Sequence, residues 1–295
     1  MSWTQFADIL ILLVLGWVIW QEFFSTRKAE DPAKRAADFP VAKNQRTHYA
    51  EVTNRSKSSS LVLLHFTATD NLSEISARGL LTRTSLSSLP QEKNLIVNDH
   101  FRHDMKIAGA GAICLSVGHP NPAVFDAYRQ KYPGRKYVVL ELSDYLLADK
   151  NTFIVCPTNA ASATVSGMWR RTPHLMQGDE AVAELFASRI MRRKNFGQTV
   201  EEFVRPASLP KALTTDPQAE ILYQKNINRT RILKIHVEDV SVQVQVDAVL
   251  AKAKWPVEVC VTPVYFSPRS DSRQWLNYRT ETEDFGRRVM GRRGN

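Results

Sequence analysis

The stretch Leu64–Leu81, LHFTATDNLSEISARGLL, joins two kinds of periodicity. Its first residues continue an apolar run that begins at Leu61, LVLLHFT, with the length and continuity of a buried strand. Asn71 followed three positions later by Glu74 makes a capping-box pattern, and Gly79 suits the position just past a helix end. The spacing predicts a helix of about two turns whose Leu72 and Ile75 face inward. His65 stands where the strand runs out, between Leu64 and Phe66. A histidine at such a junction either packs in the core or meets a ligand at the strand end, and the local sequence leaves both readings open.

Working outward, AICLSVG (112–118), KYVVLELS (136–143), RILKIHV (231–237) and VEVCVTPVYF (257–266) are rich in Val, Ile and Tyr and read as further strands. NPAVFDAYRQKY (121–132) and DEAVAELFASRIMRRK (179–194) have helical periodicity, each with a basic last turn that suits the helix dipole. Strands outnumber helices and do not alternate regularly with them, which predicts an α+β fold and argues against a doubly wound sheet. Neither a P-loop nor a GxGxxG fingerprint opens any helix.

The chain of 295 residues carries a formal net charge of +9, which favours an anionic partner: nucleic acid, an anionic membrane surface or a phosphorylated cofactor. Cys114, Cys156 and Cys260 are far apart in sequence, form no metal-ligand spacing and read as reduced core thiols. Near the N-terminus no charge falls between Asp8 and Glu22, and Ile9–Trp20 is continuously apolar. With the flanking phenylalanines this reaches bilayer length, so residues 1–27 are expected to form a single-pass transmembrane anchor, with an amphipathic docking helix as the alternative. Arg27, Lys28, Lys34 and Arg35 all follow the segment, which orients the rest of the chain to the cytoplasmic side of the inner membrane. Residues 28–60 read as a polar linker, 61–268 as the folded domain and 269–295 as a basic C-terminal tail.

Three polar residues are hard to assign to surface decoration alone: His65, Arg102 in VNDHFRHDMKIAGAGAICLS, and Glu220 in TTDPQAEILYQ. The Asp216-Pro217 turn leads into Gln218 and Glu220, which share a face at period two as a strand begins. Together, HFTATDNLSEISARGLL, FRHDMKIAGAGAICLSVGHPN, KYVVLELSDYLLADKNTFIVCPTNAASA and TDPQAEILYQKNINRTRILKIHV resemble, in that order, the DarT-type DNA ADP-ribosyltransferases, toxins that move ADP-ribose from NAD to a base in single-stranded DNA. The resemblance covers Leu61 to about Phe266 and implies split antiparallel sheets with flanking helices. It implies that His65, Phe66 and Thr67 line the nicotinamide end of an NAD pocket and that Asn71 begins the helix beside it. Arg102 and Glu220 match the family's catalytic arginine and glutamate, and Gln218 falls in its acceptor loop. The family often has a second histidine three residues after the first, where this chain has Ala68.

The resemblance further implies NAD as ADP-ribose donor, no metal, single-stranded DNA as acceptor and an antitoxin protein as partner. Arg170-Arg171 and Arg192-Arg193-Lys194 are candidates to track a phosphate backbone. Two other readings stay open on the residues: an NAD glycohydrolase or a protein- or RNA-directed transferase on the same scaffold, and a membrane-anchored nucleic-acid-binding module without turnover.

Overall fold

The computed structural model describes residues 61–89, 111–194 and 199–272; the expected anchor, the linker and Arg102 lie outside the described residues. β1 (Leu63–Ala68) leads through a 3-10 turn (Thr69–Asn71) into α1 (Leu72–Arg78), and α2 (Arg83–Ser87) follows. Next come β2 (Ile113–Val117), α3 (Pro122–Lys131), β3 (Tyr137–Leu142), β4 (Phe153–Cys156), α4 (Ala163–Arg171) and α5 (Gly178–Glu184). A hairpin of β5 (Arg189–Lys194) and β6 (Thr199–Val204) precedes β7 (Glu220–Tyr223), β8 (Ile232–Val237), α6 (Val240–Ala253) and β9 (Glu258–Val261). The class is α+β, as the sequence predicts.

Seven strands form one sheet in the order β4-β7-β2-β1-β3-β8-β9, antiparallel except for the β8–β9 pair. Where the resemblance implies split antiparallel sheets, the described strands, the β5–β6 hairpin apart, make one seven-stranded sheet that opens at its centre. β1 pairs with β3 along its whole length, from Leu63↔Leu142 to Ala68↔Tyr137, but with β2 only at Leu63↔Val117 and Leu64↔Ser116. Past Leu64, β2 stays with β7 and β1 stays with β3, so the two central strands part.

Strand alternation distributes side chains to two faces. Leu63, Leu115, Leu140, Ile221 and Ile235 enter the larger core, where α1 and α6 cover the sheet through Leu72, Ile75, Val242, Val246 and Leu250. The opposite face holds two smaller apolar clusters. One gathers Leu64, Phe125, Tyr128 and Val139 beneath α3; the other gathers Ile154, Cys156, Leu222 and Val165 beneath α4.

Two local expectations are revised. The capping box does not form: Asn71 is already helical at the end of the 3-10 turn, makes no side-chain cap, and donates its Nδ2 to Thr67 Oγ1 at 3.0 Å. Glu74 instead pairs with Arg78 at 3.0 Å, while Gly79 terminates α1 with φ of 77°, as its position predicts. The predicted 179–194 helix stops at Glu184 and its second half is β5. The carbonyls that would carry the helix onward are taken by the segment before β7: Thr215 N–H donates to Leu185 O at 2.7 Å, Thr215 Oγ1 to Ala187 O at 2.6 Å, and Arg205 N–H to Ser188 O at 2.8 Å. Arg192, Arg193 and Lys194 therefore belong to a strand, and not to a helix end.

Candidate active site

The opening between β1 and β2 is a pocket of about 190 Å³. That is below the range of roughly 300–1,000 Å³ usual for a whole small-molecule site. His65, Phe66, Thr67, Asn71 and Glu220 all line it, so five of the seven residues singled out in the sequence meet at one cleft. Gln218 does not line it: it is buried in the turn before β7, where its N–H donates to Asp216 Oδ1 at 2.8 Å. Arg102 lies outside the described residues.

The parting of the strands explains the histidine. Where the β1–β2 ladder ends, the His65 side chain takes over, with Nδ1 2.9 Å from the carbonyl oxygen of Cys114. A carbonyl only accepts, so Nδ1 carries the hydrogen. Burial holds the imidazole below its ordinary pKa, against the upward pull of that carbonyl, and keeps the ring neutral at neutral pH. Nε2 is then an acceptor on a pocket-lining residue. His65 is thus both the structural end of a ladder and a polar group of the cleft.

Glu220 opens β7, in register with Ser116 on one side and Cys156 on the other. Its side chain lies between the two apolar clusters of that face and is only 4% exposed. A buried carboxyl needs hydrogen-bond partners, and here it has two amides on one oxygen. Asn121 Nδ2 donates to Oε1 at 3.0 Å and Asn159 Nδ2 at 2.9 Å. Sequence reasoning missed both asparagines, although each stands in a stretch that carries the resemblance. The available signals were Asn121-Pro122, an N-cap followed by proline at the first helical position, and an asparagine following the end of an apolar run in FIVCPTNA.

The approach to Glu220 is itself anchored. Arg269 and Asp271 form a bidentate pair at 2.6 Å with both side chains buried, and Arg269 also reaches the Thr214 carbonyl at 2.8 Å. These two residues, assigned by the sequence to the tail beyond 268, belong to the folded body. Gly118, at φ of 74°, sits so close to the Ala212 carbonyl that a Cβ there would collide with it. Arg78, Arg83 and Arg135 also line the pocket, Arg78 paired there with Glu74, so that arginines outnumber the carboxylates of the lining, which suits an anionic ligand. Among the described residues no cluster of His, Cys, Asp or Glu could hold a metal ion. The three cysteines are free thiols.

Residues 64–267 match the family model for DarT, described as ssDNA thymidine ADP-ribosyltransferase. The chain belongs to the DarT family. No curated protein matches it significantly. Solved structures to which the DarT domain is similar include Thermosipho africanus DarTG in complex with ADP-ribose, at 13% identity and a TM-score of 0.42, covering 70% of this chain and 50% of that one. They also include Thermus sp. 2.9 DarT in complex with ADP-ribosylated ssDNA and with NAD+, each at 15% identity and a TM-score of 0.42. Those two matches cover 70% of this chain and 95% and 98% of the Thermus protein. The chain thus spans about half the length of the Thermosipho protein and nearly all of the Thermus one.

Proposed function

We propose that the chain is an NAD-dependent mono-ADP-ribosyltransferase whose acceptor is a base in single-stranded DNA, thymidine by the family's description. The observation that carries this reading is a buried glutamate, Glu220, held by two amides at a cleft that His65 also lines. In the reaction the bond between nicotinamide and ribose breaks, nicotinamide leaves with the electron pair, and a base nitrogen bonds to the ribose carbon and loses its proton. Glu220 accepts a hydrogen bond from a ribose hydroxyl and stabilises the positive charge that develops on the sugar. In a water-poor site such a preorganised contact is a large part of catalysis. Neutral His65 offers Nε2 to a hydroxyl or amide donor of the same end of NAD. Arg102, by the resemblance, assists transfer, and Gln218 falls in the acceptor loop.

The test is labelling. The enzyme is supplied with NAD carrying a label on the ADP-ribose, together with single-stranded DNA, RNA or protein. The expected outcome is label on single-stranded DNA, carried on thymidine. Nicotinamide release without label on any polymer would instead make the chain a glycohydrolase, and NAD-independent DNA binding alone would make it a binding module. Glu220→Gln should lower transfer by about 10²–10³-fold while the protein still folds. Transfer at the wild-type rate in that variant would overturn the role of Glu220.

We further propose that residues 1–27 tether the enzyme to the inner membrane with the catalytic domain in the cytoplasm. The support is the apolar run Ile9–Trp20 and the basic residues that follow it. Among the described residues no helix is long and apolar enough to cross a membrane, so the tether rests on this segment alone. An antitoxin partner follows from the resemblance.

A further inference from the structure

We propose that Asn121 and Asn159 are positioning residues that together aim the Glu220 carboxyl, an inference that rests on the reading of Glu220 as the catalytic carboxylate. Both are 3% exposed and both place Nδ2 on the same oxygen, Oε1, at 3.0 and 2.9 Å. The orientation of each amide is fixed by its other end. Asn121 Oδ1 accepts from Val124 N–H as the N-cap of α3, and the Asn121 N–H donates to Ser116 Oγ at 2.9 Å. Asn159 Oδ1 accepts from Ala161 N–H at 2.8 Å in the turn that precedes α4. An oxygen occupied by a backbone N–H leaves only the NH₂ group to face the carboxyl, so neither amide can flip without losing a bond.

Two donors converging on one oxygen restrict the plane and direction of a side chain that otherwise rotates about three bonds. They also tie it to the N-cap of α3, which is Asn121 itself, and to the turn three residues before the Ser162 cap of α4, where Asn159 stands. The two asparagines differ in one respect that makes the idea testable. Asn121 lines the pocket and Asn159 does not, so a variant at Asn159 leaves the described lining of the pocket unchanged.

The informative variant is Asn159→Ser in the full-length protein: a hydroxyl keeps an acceptor for Ala161 N–H but is too short to reach Glu220. Steady-state kinetics with NAD and a single-stranded oligonucleotide should give a kcat lowered by about 10²-fold, the scale expected when a reacting group is displaced by about 1 Å. KM for NAD and the melting temperature should stay near wild type. Should Asn159→Ser not fold, Asn121→Ser serves as the second variant, since serine retains the cap on Val124 and is too short to donate to Glu220. It too should lose kcat in a folded protein. Wild-type kcat in the folded variant, or a loss confined to KM, overturns the proposal. Glu220→Gln assayed beside them separates the two claims. If it is inactive while Asn159→Ser is not, the positioning role fails alone; if it is active, the reading of Glu220 fails first.

Discussion

His65 has a pH signature that can be measured apart from activity. Its pKa is held down chiefly by burial, with the bond to the Cys114 carbonyl pulling upward and losing. Buried His119 behaves alike: burial outweighs its contacts with the Pro120 and Val264 carbonyls. Each histidine therefore binds a proton less readily in the folded chain than in the unfolded one, where its pKa is near 6.5. Below that value the unfolded state takes up more protons, so acid favours unfolding. Stability is full above pH 6.5 and falls as pH drops from there through the lowered folded-state values. Thermal melts across this window should show a melting temperature that declines on acidification. His65→Gln, which can still donate to the Cys114 carbonyl but cannot titrate, should flatten the decline. A melting temperature that rises on acidification between pH 6.5 and the onset of acid unfolding would contradict this account.

At the level of elements, the segment that delivers Glu220 to β7 is held by buried charge. Removing one member of a buried ion pair strands the other, typically at a cost of about 3–5 kcal/mol. Arg269→Met should therefore destabilise the fold by that order in urea titrations, and adding Asp271→Leu should restore much of the loss. A single variant as stable as wild type would show that the pair does not anchor Thr214. Such long-range anchors also mark where sequence reading stops. β1, β2, β3, β8 and β9 were legible because apolar runs of strand length need no partner to be recognised, and α3 because its cap and first-turn proline are adjacent. The expected 179–194 helix is too long because its end is decided by Thr215 and Arg205, far along the chain. α6 is hidden from the sequence because VSVQVQV alternates like a strand. Its Asp239 cap and the buried Val242, Val246 and Leu250 at four-residue intervals reveal the helix once the core is seen. His65 and Glu220 were legible through motif and strand end. Asn121 and Asn159 are not, because an asparagine that caps a helix, like Asn121, or closes a turn, like Asn159, looks the same whether or not its amide also holds a carboxyl.

For the whole molecule, β1 is the strand on which the sheet depends. It lies between β2 and β3 near the middle of the order, it forms one wall of the cleft, and the Val62 carbonyl just before it accepts from Gly118 N–H at 2.9 Å. The family match begins at the same place, at residue 64. Cutting the chain on either side of this strand should have opposite effects. A protein beginning at Ser58 retains β1 and its preceding backbone bond, so it should fold and transfer ADP-ribose with the kcat of the full chain. A protein beginning at Thr67 lacks most of β1, which would leave β4-β7-β2 and β3-β8-β9 without the strand that joins them, and it should not fold. Circular dichroism and thermal melting distinguish the two outcomes directly. The same pair tests the tether, because if residues 1–27 hold the enzyme at the membrane, the full chain sediments with membranes and the protein beginning at Ser58 stays in the supernatant with unchanged kcat. Loss of activity in the Ser58 protein would mean that the first 57 residues contribute to the catalytic domain itself. Recovery of the full chain in the supernatant would remove the tether and leave the catalytic reading intact.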